Sequence, residues 1–313
     1  MRITLGMQTS EALLSINDQQ EQITNLSQQI ASGVTLSSAS DNPYDWAQAM
    51  NIKQGLGEYK SILSGINFGT GWCQATESAL NQLSNLVSQA QQIAISATSG
   101  TETTQGATLA NEVNGILQQA VTLANSQYGD QYIFAGTGTS SAPFSIDDST
   151  GVVTPGADSN SNSIMVKTST CNASGDGSTA INLTGDDVFT FNSGGSSGLN
   201  VLQEIWNLGQ ALQNGDSSTI SSLSTTLGDA FSSINNEAAI NGSTLSDLTN
   251  QQSAINVIQT NEEGTLSNLE DTDVAQTTTK LAQAQTAYQA ALQVTGILDN
   301  LNLPSLLTGT STA

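Results

Sequence analysis

The two ends of this chain carry one kind of hydrophobic pattern and the middle carries another. Near the start, Leu5, Ala12, Ile16, Ile23, Leu26 and Ile30 fall on the a and d positions of a single heptad frame. Near the end, Val274, Leu281, Ala284, Tyr288, Ala291 and Leu298 do the same, with Leu292 alongside. Such seams are narrow apolar stripes that require a partner helix. Leu5, Ile16, Ile23, Leu26, Ile30, Leu281, Tyr288, Leu292 and Leu298 are therefore the candidate subunit-assembly residues. A seam at each terminus points to a chain built to assemble.

Punctuation between the seams predicts further helices. The first pattern stops at Ser32-Gly33, a C-terminal stop. Ser40-Asp41-Asn42-Pro43 then reads as a capping side chain followed by proline at the first helical position. Trp46, Met50 and Ile52 continue that helix, with Gly55, Gly57 and Gly65 weakening it. A separate helix is predicted from about Gln74 to Ala97, and another around Leu109, Ile116 and Leu123. From Tyr132-Ile133-Phe134-Ala135-Gly136, a short β-like run, the texture changes. Gly, Ser, Asn, Asp and Thr dominate to about Gly198, interrupted by Phe144-Ser145-Ile146, Val152-Val153, Ile164-Met165-Val166, Ile181-Asn182-Leu183 and Val188-Phe189. Short strands between turns describe a β-rich insert, and Gly185-Asp186-Asp187 reads as a tight turn. Helical periodicity returns at Leu202, Ile205, Leu208 and Leu212 and stops at Asn214-Gly215. Asp216 or Ser217 caps the next helix, which carries Ile220 to Ile234; Leu248, Ile255 and Ile258 mark another before the terminal seam. The predicted fold class is mainly α with a small β-rich insert (α+β). Its architecture is an elongated antiparallel helical rod, the insert at the hairpin tip and the two coiled-coil termini brought together.

Composition narrows the partners. The 313 residues include 27 acidic and only 5 basic, a formal charge of -22. With only Arg2, Lys53, Lys60, Lys167 and Lys280 to displace counterions, a nucleic-acid or anionic-membrane partner is not expected. Only 10% of residues are charged, so Ser, Thr, Asn and Gln cover the surface. No stretch approaches 18 apolar residues, so no membrane insertion is expected. Met1-Arg2-Ile3-Thr4-Leu5 opens without an apolar leader, and export is expected by a route that cleaves none. Cys73 and Cys171 follow no metal spacing and are read as free thiols.

Candidate chemistry is sparse. The chain has no histidine, which excludes Ser-His-Asp and Cys-His mechanisms and the usual histidine-ligated metal sites. No phosphate-binding loop is present. Asp147-Asp148, Asp186-Asp187 and Glu262-Glu263 read as turn or solvated residues rather than a calcium site or a glycosidase pair. Glu270, Asp271 and Asp273 are placed at the start of the last helix, where acids suit the dipole. Trp46, Trp72 and Trp206 are read as packing between helices. No catalytic residue, cofactor or metal is expected.

Four stretches resemble the bacterial flagellin superfamily and, within it, the flagellar hook-associated protein 3 family. The first is Arg2-Ile3-Thr4 with Ile30-Ala31-Ser32-Gly33 and Ser40-Asp41-Asn42-Pro43. The second is Tyr132 to Thr137 with Pro143-Phe144; the third is Gly185-Asp186 through Phe189 with Leu212 to Asp216. The fourth is Leu269 to Ala275 with Leu281 and Ala287 to Leu292. The first and fourth would fit any flagellin; the second and third favour the junction family. The family's basic pair after Ser-Gly is replaced by Val34, Thr35 and Leu36, which puts an ionic subunit contact there in doubt.

The resemblance implies a structural subunit, not an enzyme, exported unfolded through the flagellar type III apparatus and assembled outside the cell between hook and filament. Residues 1–40 and 270–313 would be the terminal coiled-coil assembly domain, 41–139 and 198–269 the helical rod, and 140–197 the β-rich outer domain. Implied partners are neighbouring copies of itself, the adjacent hook-associated junction protein, flagellin and an export chaperone. The main filament subunit, flagellin, is the alternative. A secreted carbohydrate-active enzyme is a remoter one.

Six threonines between Glu270 and Asn300 cost the last helix about 3–4 kcal/mol relative to alanine. Burial of Leu281, Tyr288, Leu292 and Leu298 contributes roughly 1.5–3 kcal/mol each, but only against a partner. Both terminal segments are therefore expected to be mobile in the free chain and ordered on assembly.

Overall fold

The computed structural model describes residues 5–98, 106–147, 152–156, 161–169 and 177–307. Long helices account for most of them: α1 (Leu5–Ser32), α2 (Pro43–Thr98), α3 (Gly106–Ala124), α5 (Val201–Asn214), α6 (Ser217–Glu270) and α7 (Val274–Leu307). Between α3 and α5 lie a five-residue helix, α4 (Gly185–Phe189), and eight short strands. The strands pair as four antiparallel ribbons. These are β1 (Gln127–Tyr128) with β2 (Gln131–Tyr132), and β3 (Phe144–Ile146) with β4 (Val153–Pro155). The others are β5 (Met165–Lys167) with β6 (Ser178–Ala180), and β7 (Thr190–Ser193) with β8 (Ser196–Asn200). The mainly helical class with a β-rich insert is as the sequence implied.

Helix boundaries follow their punctuation. Helix α1 ends at Gly33, whose φ of 74° is open to glycine without a Cβ clash. The Asn42 side chain accepts from the backbone N–H groups of Tyr44 and Asp45, capping α2 just before Pro43. Helix α5 ends at Gly215, with φ 69°, and Asp216 Oδ1 caps α6 by accepting from the N–H groups of Ser218 and Thr219.

Two expectations fail on length. The helix predicted to begin near Gln74 is continuous with the one begun at Pro43, and residues 217–270 form one helix rather than two. An interior glycine costs roughly 1 kcal/mol. Burial of Ile62, Ile66, Trp72 and Leu80 on the same helix outweighs it. Some of these glycines also admit close neighbours. A Cβ at Gly65 would meet Val166 at 3.1 Å, and one at Gly69 would meet Ile181 at 3.0 Å.

The insert departs in detail. Gly185-Asp186-Asp187 opens helix α4 instead of forming a turn, and Val188-Phe189 is helical rather than extended. Thr184 and Asp187 form a reciprocal capping box there. Ile133 and Phe134 are buried beyond the end of β2 rather than extended, and the Phe134 carbonyl accepts from Gly185 N–H at 2.8 Å. Strand β6 ends just before Ile181-Asn182-Leu183, which turns inward.

The chain divides into two compact units, residues 58–258 and residues 1–57 with 259–313. The core of the first is built from Trp72, Leu80, Leu83 and Val87 of α2, Val113, Ile116 and Ala120 of α3, Leu202, Ile205 and Leu208 of α5, and Leu227 and Ile234 of α6. Phe134 and Phe144 close on Phe189, with ring centroids 5.5 and 4.8 Å away. Polar rungs tie α2 to α6 within this unit. Gln252 donates to Asn67, Asn241 to the Cys73 carbonyl, Ser84 to Asn235, and Gln91 to the Ser224 carbonyl. Numbers that rise on one helix fall on the other, so the rungs fix an antiparallel register. Trp72 is buried beside Phe68 and Tyr128, Trp206 packs against the core, and Trp46 is half-buried. Cys73 is a buried free thiol, pushed up to about 11 by burial; Cys171 lies outside the described residues.

Candidate assembly surface

In the smaller unit the two terminal helices pack against each other, α1 on α7. Their shared end is clasped by backbone. Val34 and Asp271 form an antiparallel bridge. Thr35 N–H donates to the Glu270 carbonyl at 2.6 Å, and Thr272 N–H donates to the Gly33 carbonyl at 2.9 Å. The hydroxyls of Thr35 and Thr272 lie 2.9 Å apart. Leu36 is buried beside this clasp. Lys53 Nζ lies 2.6 Å from Glu270 Oε1, close enough for an ion pair though poorly aligned for a hydrogen bond. Val34, Thr35 and Leu36 thus serve an intramolecular joint.

Glu270 is the last residue of α6 and not part of the final helix. Asp273 does what the sequence suggested, accepting from Gln276 N–H at the start of α7.

The bridge at residues 34 and 271 makes the two helices antiparallel, so the start of α1 lies toward the far end of α7. Ile16 and Leu26 are buried, Ile23 and Ile30 half-buried. On α7, Thr277 and Ala284 are buried, Leu281 and Tyr288 half-buried, and Leu292 is 46% exposed. The side chains of Leu5 and Leu298 lie outside the described set. Six of the seven described seam residues are thus at least half-buried, in a unit where α1 packs on α7.

A second group of apolar residues faces outward at the open end of the pair. Met7 and Leu14 are each 62% exposed, and Leu13 is 55% exposed. Val294 and Ile297 of α7 are similarly exposed. Sequence reasoning passed over them because they fall off the a and d frame. Their signal was apolar character at positions the seam did not need. Exposed apolar side chains grouped in this way make this end of the pair a candidate contact surface.

Two acidic residues of the insert serve local structure. Asp186 accepts from Ser161 Oγ at 2.7 Å, and Asp187 is spent on its capping box. Burial pushes Glu204 upward, opposed by a hydrogen bond from Asn207. Among the described residues no group of three or more His, Cys, Asp or Glu could hold a metal ion. No helix among them is long and apolar enough to cross a membrane.

Residues 3–139 match the family described as the bacterial flagellin N-terminal helical region. The resemblance extends to a named flagellar part. Flagellar hook-associated protein 3 of Salmonella typhimurium is 32% identical over 153 residues, and that of Escherichia coli 29% identical over 147. Each match spans about half of this chain and about half of the relative's own length (48% and 46% of both, respectively). The fold is shared with several solved structures. A flagellar hook-associated protein from Vibrio parahaemolyticus aligns over 74% of this chain and all of its own, with a TM-score of 0.62 at 17% identity. The flagellar junction protein of Legionella pneumophila aligns over 72% of this chain and all of its own, with a TM-score of 0.57 at 15% identity. The flagellin-like resemblance read from the four sequence stretches is thus found in sequence and in fold.

Proposed function

We propose that this chain is a structural subunit of the bacterial flagellum that joins hook to filament, assembled through its terminal helices. The observation that carries the reading is the α1–α7 pair, clasped at one end and ringed with exposed apolar side chains at the other. The naming of its relatives favours a junction role over that of flagellin.

In this reading residues 1–40 and 270–313 form the assembly domain, 41–139 and 198–269 a helical rod, and 140–197 the outer domain. The seam residues Leu5, Ile16, Ile23, Leu26, Ile30, Leu281, Tyr288, Leu292 and Leu298 are assigned to subunit assembly, and the exposed off-frame residues contact neighbours alongside them. Copies of the chain, an adjacent hook-associated protein and flagellin surround it outside the cell. A chaperone escorts it to the export apparatus. Contacts are heterologous, one face meeting a different face, so rings or helices result. The role is structural rather than catalytic.

Deletion of the gene tests this. Cells that keep hooks but shed filament subunits are the expected result. A normal filament without the chain overturns it, and localisation along the whole filament transfers the chain to the flagellin role.

A further inference from the structure

The sequence holds three Asn-Gly pairs, Asn114-Gly115, Asn214-Gly215 and Asn241-Gly242. Each has the same latent reactivity. A glycine has no side chain to hinder its backbone nitrogen, which can attack the preceding asparagine's side-chain carbonyl and close a five-membered ring. Closure requires the asparagine ψ to leave its helical value of about −42°. Within a helix that nitrogen points along the axis instead, donating to the carbonyl four residues back. The fold therefore decides which pair reacts.

Two of the three pairs are locked. Asn114 and Gly115 lie in the middle of α3, and Asn114 Oδ1 packs against Gly209 of α5, where an added Cβ would meet it at 3.1 Å. Asn241 and Gly242 lie inside the 54-residue helix α6. Asn241 is 2% exposed, and its side-chain amide donates to the Cys73 carbonyl at 2.9 Å. The third pair is held by little. Asn214 is the last residue of α5, and Gly215 is the left-handed residue that ends it. Gly215 N–H is shared between the Ala211 and Leu212 carbonyls and lies 3.3 Å from the latter. That is longer than the usual range of about 2.7–3.2 Å. Residues 213–219 are all exposed, and a Cβ on Gly215 would meet nothing within 4 Å. An exposed helix end opens locally at far lower cost than a helix interior.

We propose that Asn214 is a site of spontaneous covalent modification, converting to aspartate and isoaspartate while Asn114 and Asn241 stay intact. The Gly215 nitrogen attacks Asn214 Cγ. The N–Cγ bond forms, the Cγ–Nδ2 bond breaks, and the proton lost by the Gly215 nitrogen leaves with Nδ2 as ammonia. Water then opens the succinimide at either carbonyl. Opening at Cγ leaves aspartate, and opening at the main-chain carbonyl leaves isoaspartate, with the backbone one methylene longer. Either product sets a carboxylate at the C-terminal end of α5, where the helix dipole disfavours an anion. Asn214 lines a groove of about 600 Å³ with Glu204 and Asp216, so the new charge joins two of its own sign. The joint between α5 and α6 thus loosens in one direction only as the molecule ages. The chemistry does not depend on the assembly role of the terminal helices.

The test incubates the full chain in warm, mildly alkaline buffer and follows each pair by peptide-mapping mass spectrometry, with isoaspartate counted by enzymatic methyl transfer. Conversion at Asn214 is expected to run roughly tenfold or more ahead of Asn114 and Asn241 in the folded chain. The preceding residues differ, Val113, Gln213 and Ile240, so the chain in denaturant supplies the reference. There the three rates are expected to converge. Comparable rates at the three sites in the folded chain, or an intact Asn214 under conditions in which the denatured chain converts it, overturn the proposal. Asn214→Asp reads the consequence. Amide protection is expected to fall over residues 211–220 and to stay unchanged in α3; full protection over 211–220 overturns the loosening.

Discussion

Gly71 of α2 lies against the phenol of Tyr128: a Cβ built on it would come within 2.2 Å of the Tyr128 hydroxyl and 2.7 Å of its Cζ. The ring also stands edge-on to Phe68 and Trp72, at centroid distances of 5.8 and 6.2 Å. The glycine is thus the floor on which an aromatic cluster rests, at the point where the helices give way to the first ribbon. Gly71→Ala is expected to destabilise the larger unit by about 1–3 kcal/mol, the usual cost of overpacking. Adding Tyr128→Phe is expected to return only part of that, because Cζ remains too close. Thermal unfolding of the two variants checks it; a neutral Gly71→Ala contradicts the packing.

The clasp gives a second expectation. The Glu270 side chain is 9% exposed and its Lys53 partner 46% exposed. Lys53→Met leaves a buried carboxylate without its cation, for roughly 1–2 kcal/mol after allowing for the exposed lysine. The loss is expected in the amide protection of Thr35 and Thr272 and not in the larger core. Uniform loss across the chain contradicts it.

Glu204 carries a pH signature. Desolvation raises it above the ordinary value of 4.5, so the folded state holds its proton more firmly than the unfolded state does. The stability this contributes is present in full below the unfolded value and is lost as pH rises through the folded one. Glu204→Gln is therefore expected to raise the melting temperature at neutral pH, with the advantage disappearing below about pH 4. A constant difference at all pH values rules out this cause. Glu237 has the same sign, from desolvation and then repulsion by Asp187.

Within the smaller unit α1 and α7 bury few large side chains against each other, chiefly Ile16 and Leu26. Short apolar burial and a threonine-rich α7 make this pair the least protected part of the free chain. Amide exchange is expected to be fast over 5–30 and 275–300 before assembly and slow afterwards. Strong protection of both stretches in the free chain is the contrary result.

Leu14 separates stability from assembly. It is 62% exposed, so Leu14→Asp is expected to leave the melting temperature nearly unchanged. Filament retention in cells complemented with the variant is expected to fall. Normal retention contradicts a contact at this face.

Much of this was legible in the chain itself. Gly33, Asn42, Gly215 and Asp216 announced where helices stop and start, because capping is a local matter of one side chain and two or three amides. Heptad spacing located α1, α3 and α7 for the same reason. The merger of two predicted helices into α2 was not legible. Gly55, Gly57 and Gly65 read as breaks, and only the tertiary burial of Ile62, Ile66 and Trp72 overrides them. Helix α4 was missed although Thr184 and Asp187 spell a capping box, because Gly185 masked it as a turn. At the assembly surface the seam was visible but its use was not. Periodicity shows that a stripe needs covering and cannot say whether the cover comes from the same chain. Ile16 and Leu26 turned out to face inward, and the outward residues Met7, Leu13 and Leu14 sat off the frame.

The hydrogen bond from Thr35 Oγ1 to the Asp271 carbonyl spans 236 positions of chain. A chain made from one end delivers one of these residues long before the other. The end that emerges first has nothing to close on until nearly the whole polypeptide has followed. The joint at residues 33–35 and 270–272 therefore closes only when both ends of the chain are present, and a chain that stops before residue 270 cannot form it.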